Sequence, residues 1–81
     1  MLPEEARRQL VNEIEGRLKK TQDMLSRVHP RKLSAEQRDV VARIRSFVQL
    51  SNEALKRGDT TQAGELADRA LLLAGDLSRG Q

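Results

Sequence analysis

Residues of low polarity recur along the first third of the chain at Val11, Ile14, Leu18, Thr21, Leu25 and Val28, spaced 3, 4, 3, 4 and 3 apart. That is the seam of an amphipathic helix, widened by Leu10 and Met24. Pro3, followed by Glu4 and Glu5, suits a helix start, because proline needs no N–H donor there and acids offset the positive dipole end. Pro30 stops the pattern and restrains His29 before it. The first predicted helix therefore spans 3–28.

A second pattern begins after "LSAEQ". Ser34 with Gln37 three residues on forms a capping-box signature. Two adjoining stripes follow, one of Val40, Ile44, Phe47, Ser51 and Ala54, the other of Val41, Val48 and Leu55. Two stripes on one helix predict that it lies between two neighbours. Gly58 suits the left-handed conformation just beyond a helix end, so this helix is expected over 34–57. Asp59 or Thr60 then caps a third helix over 60–78, with Gln62 correctly spaced to answer Asp59. Its packing face comprises Ala63, Leu66, Ala67, Ala70, Leu71, Leu73, Ala74 and Leu77.

Charge spacing agrees with three helices. Glu4–Arg8, Glu13–Arg17, Glu15–Lys19, Asp23–Arg27, Asp39–Arg43, Glu53–Arg57 and Glu65–Arg69 all place the acid four residues before the base. Each such pair adds about 0.2–0.5 kcal/mol to an exposed helix. Short links between long helices favour antiparallel neighbours. The expected fold is all-α, an up-down-up antiparallel three-helix bundle in one domain spanning 1–81.

Composition removes several functional classes. The 81 residues include no cysteine, so thiolate metal sites, disulfides and a Cys nucleophile are excluded. No apolar run approaches the roughly 20 residues that span a bilayer. The only histidine, His29, lacks partners at ligand spacing and reads as a solvated loop residue. Nearly every carboxylate has a base one turn later, whereas acid–base catalysis calls for isolated carboxylates in an apolar cleft. With one aromatic residue and no phosphate-cradling glycine loop, the chain is not expected to be an enzyme, nor to hold a cofactor, metal or small-molecule substrate.

Charge is unevenly spread: eight bases against five acids over 1–33, five against three over 34–57, and two against four over 58–81. Arg27, Arg31 and Lys32, with His29 among them, form the densest basic cluster and are the candidate phosphate contacts. Interleaved acids and missing stacking aromatics weigh against nucleic acid. Leu72 is the other residue out of place. It lies one turn from Asp68 and Arg69, on the polar side of helix three, and is the candidate protein contact.

The stretch "FVQLSNEALKRGDTTQAGELADRALLLA" resembles a single tetratricopeptide-type helical hairpin, over about residues 44–74. Phe47, Leu50 and Ala54 fall at its large and small packing positions. Gly58 and Asp59 match its turn, and Ala63, Ala67 and Ala70 match the small residues that let its helices approach closely. No Trp, Tyr or closing Pro is present and no second copy follows, so the resemblance implies one hairpin and not a solenoid. It implies a core of Phe47, Leu50, Leu66, Ala67, Ala70 and Leu73, and protein–protein contact as the role.

Three functional expectations follow from different classes. The first is a non-enzymatic helical interaction or scaffolding module, of a kind that a larger bacterial protein can carry as one domain, binding a protein partner or itself. The second is a small basic module for nucleic acid or an anionic surface, through Arg27, Arg31 and Lys32. A purely structural segment, natural or designed, is the third. Either a cytoplasmic setting or an exported envelope protein is compatible with the composition.

Overall fold

A computed structural model describes residues 3–80. Three α-helices make up nearly all of it: α1 (Glu4–Ser26), α2 (Ala35–Lys56) and α3 (Thr60–Arg79). A single 3₁₀ turn, Pro30–Lys32, lies between α1 and α2. The expected all-α three-helix bundle is therefore present.

The helix ends follow from local chemistry. The Ser34 hydroxyl accepts from the Gln37 N–H at 3.1 Å, and the Gln37 side chain accepts from the Ser34 N–H at 2.9 Å, completing the capping box. At α3, the Asp59 carboxylate accepts from the Gln62 N–H at 3.0 Å. Gly58 has φ of +80°, a conformation that costs other residues about 1–2 kcal/mol. That left-handed residue lets the Asp59 N–H reach back to the Ala54 carbonyl at 2.9 Å, closing the α2 terminus within a short link. Helix α1 ends two residues earlier than its apolar pattern predicts. Arg27 and Val28 donate to Met24 and Leu25, three residues back, and so tighten the last turn ahead of Pro30.

Chain directions can be read from cross-helix neighbours. Arg7 reaches over Gly58, Ile14 lies against Gly64, and Arg17 pairs with Asp68 at 3.3 Å. The numbers rise together, so α1 and α3 run the same way. Ser51 of α2 donates its hydroxyl to the Ala63 carbonyl at 2.7 Å, and the turn at Gly58 reverses the chain, so α2 runs opposite to both. This is the up-down-up order.

The core comprises Ile14 and Leu18 from α1, Ile44, Val48 and Ala54 from α2, and Ala63, Leu66, Ala67, Ala70, Ala74 and Leu77 from α3. Thr21 and Ser51 are polar and fully buried, and each is satisfied: Thr21 donates to the Arg17 carbonyl at 2.8 Å, Ser51 to Ala63. Among the described residues no buried side-chain polar atom lacks a partner.

One expectation about the arrangement is corrected. Helix α2 is not the middle helix; α3 is. It approaches both α2 and α1 closely, while α1 and α2 come near each other at only a few points. The reason is side-chain volume. Helix α3 turns Ala63, Gly64, Ala67, Ala70 and Ala74 inward, so neighbouring backbones can draw close. Helices α1 and α2 turn the bulkier Ile14, Leu18, Ile44 and Val48 into the core and stay farther apart. The second stripe of α2 (Val41, Leu55) is only half-buried.

The ion pairs also differ from expectation. Of the seven acid-first pairs, only Glu4–Arg8 is formed, at 3.4 Å. Arg17, expected to answer Glu13, reaches Asp68 on α3 instead. Exposed pairs gain little against the freedom of two long side chains, so proximity of one turn does not enforce them.

Candidate interaction surfaces

Seven residues along a helix bring the side chain back to the same face with a drift of only about 20°. Glu65, Leu72 and Arg79 therefore form one stripe along α3, directed away from the alanine face that meets the core. All three are exposed. Leu72 is 68% exposed, while the other leucines of α3 are buried or half-buried. Asp68 and Arg69 flank it on the N-terminal side, Gly75 and Asp76 on the C-terminal side. Asp68 is held by Arg17, and Asp76 is paired with Arg79. The expected leftover leucine of the triplet is thus the one the packing leaves out.

Leu50 is a correction. It was expected in the core through the tetratricopeptide-type pattern, yet it is 46% exposed. Phe47 and Leu73 are half-buried against the core, and Leu66, Ala67 and Ala70 are buried as expected. Leu50 sits three residues from Phe47 but one residue from Ser51. Because Ser51 faces Ala63, Leu50 is turned roughly 100° away, onto the flank of α2.

The wide separation of α1 and α2 leaves a groove of about 640 Å³ that sequence reading did not anticipate. Leu25 and Val48 contribute its apolar part, and Gln22, Arg45, Gln49, Asn52 and Lys56 are among its polar groups. Its signal in the sequence is the contrast between large residues on α1 and α2 and small ones on α3. Periodicity alone does not register that contrast.

Arg27, Arg31 and Lys32 fall together at the end of the bundle where α1 passes to α2. All three are exposed and none is ion-paired among the described residues. His29 is exposed too, and its carbonyl accepts from the Lys32 N–H at 3.0 Å, opening the 3₁₀ turn. Among the described residues no group of three or more His, Asp or Glu side chains is gathered to hold a metal ion. No helix of the described residues is long and apolar enough to cross a membrane.

Comparison with protein-family models, with curated proteins and with solved structures gives no match.

Proposed function

We propose that the chain is a non-enzymatic helical interaction module that meets a protein partner through the outer face of α3, with Leu72 at the contact. The observation that carries this reading is the 68% exposure of Leu72 on a helix whose other leucines are at least half-buried. A lone exposed leucine is ordinary on a protein surface. The support here comes from its setting, on a helix that is fixed against two neighbours and has a rigid outer face to present. In this reading α2 and α3 act as a tetratricopeptide-type hairpin. The left-handed Gly58, the Asp59 cap and the buried Ala63, Ala67 and Ala70 support that; the exposed Leu50 is its departure.

Leu72→Asp is the test. The variant should keep its helical circular dichroism and lose no more than about 0.5 kcal/mol of stability, as exposed substitutions do. It should nonetheless fail to retain proteins that the unmodified chain retains from an extract, with Leu50→Asp run beside it. Equal retention by Leu72→Asp would remove the contact from α3.

A second reading is supported by Arg27, Arg31 and Lys32, which are exposed and have no ion-pair partner among the described residues. Here the end of the bundle binds nucleic acid or another anionic surface. Three phosphate contacts imply a salt slope of roughly −2 to −3 in log–log form. Changing all three residues to alanine should abolish an electrophoretic shift seen at low salt. No shift of DNA or RNA by the unmodified chain would end this reading.

A further inference from the structure

We propose that the outer face of α3 docks on the same face of a second copy of this chain, in an antiparallel pair centred on Leu72. The proposal rests on the interaction-module reading and names the partner. Its basis is the order of charges about Leu72. Seven residues before it stands Glu65 and seven after it Arg79, on the same stripe. A two-fold axis through Leu72 sets each residue of this stripe opposite the one equally far on the other side. Glu65 then meets the copy's Arg79, and Arg79 meets the copy's Glu65, one pair at each end of a stripe about 21 Å long.

The positions between fit the same arrangement. Arg69 and Asp76 lie on one flank of the stripe and Asp68 and Gly75 on the other, so Arg69 falls opposite the copy's Asp76, and Asp68 falls opposite the copy's Gly75, where no side chain obstructs it. A Cβ placed on Gly75 would have its own Arg79 Nη1 at 3.5 Å, so the notch is open apart from that flexible group. In the single chain Asp68 pairs with Arg17 at 3.3 Å and Asp76 with Arg79; on docking Asp76 takes the copy's Arg69, which releases Arg79 to the copy's Glu65. Glu65 has no ion-pair partner among the described residues, although Arg69 stands one turn away. It is available to the second copy. A parallel pairing would instead set Glu65 on Glu65 and Arg79 on Arg79, which like-charge repulsion disfavours.

One helix face covers less than the roughly 800 Å² per partner of a standard stable interface. The pair is accordingly a weak one. In light scattering from about 10 µM to 1 mM the apparent mass should rise from the monomer's 9.1 kDa toward twice that value. Glu65→Arg and Arg79→Glu should each weaken association about tenfold or more, since each turns both attractive pairs repulsive. Mixed in equal amounts, the two variants should associate again, because every opposed pair is then acid against base. Both residues are exposed, and circular dichroism melting confirms that each variant is folded before it is mixed. A wild-type chain that stays monomeric to about 1 mM overturns the second-copy proposal while leaving Leu72 available to a different protein. Association that persists in Leu72→Asp removes the face itself, and with it the broader reading. A dimer indifferent to both charge reversals overturns the antiparallel register.

Discussion

Ile14→Ala should destabilise the bundle by about 3–4 kcal/mol, read as a lowered midpoint in urea with little change in slope. Ile14 is 0% exposed and is the residue by which α1 meets α3 at Gly64, where its Cδ1 lies 3.7 Å from the place a Cβ would take. Truncation removes three methyl or methylene groups at that point. Gly64 has no side chain with which to fill the space, so the cavity stays open. A chain of 81 residues has only roughly 4–12 kcal/mol of stability in all. The loss is therefore a large fraction of the total. A loss below about 1 kcal/mol would mean that Ile14 is not the anchor of α1.

Ala67→Leu tests the opposite side of the same packing. Ala67 is 0% exposed and lies on the face by which α3 draws close to both neighbours. Added carbons have no void to enter and must push the helices apart or take a strained rotamer, at about 1–3 kcal/mol or more. The discriminating control is Ala42→Leu, on an exposed position of α2, which should change stability by less than about 0.5 kcal/mol. If both substitutions were equally mild, close approach by alanine would not explain why α3 is central.

These residues also mark how far the sequence could be read. Ser34 with Gln37, Gly58, and Asp59 with Gln62 were legible because caps and turns obey rules that act within four residues. Exposure of Leu72 was legible as well, since a helix offers a fixed angle per residue and its packing side was already assigned. The central place of α3 was not. Two apolar stripes on α2 suggested two neighbours, but counting stripes ignores volume. The alanine side of α3 decides the distances, and only the assembled helices weigh small faces against large ones. Leu50 failed for a related reason: a pattern of spacings placed it in the core, while the Ser51–Ala63 hydrogen bond sets the actual rotation of α2. The charge pairs were legible as neighbours but not as contacts, as Arg17 shows by turning to Asp68. The groove between α1 and α2 was missed because it is a remainder left by the packing of all three helices, and periodicity does not register the volume contrast that signals it.

The Gly58 turn has a consequence for the order in which the molecule assembles. It joins α2 to α3 with three residues between helices, so the closest helix pair is also the pair nearest in sequence. Little loop entropy opposes that hairpin, and it can form as a local unit. Helix α1 must be brought to α3 from across the whole of α2. It should therefore dock last and detach first, its amides losing protection from hydrogen exchange at lower free energy than those of the hairpin.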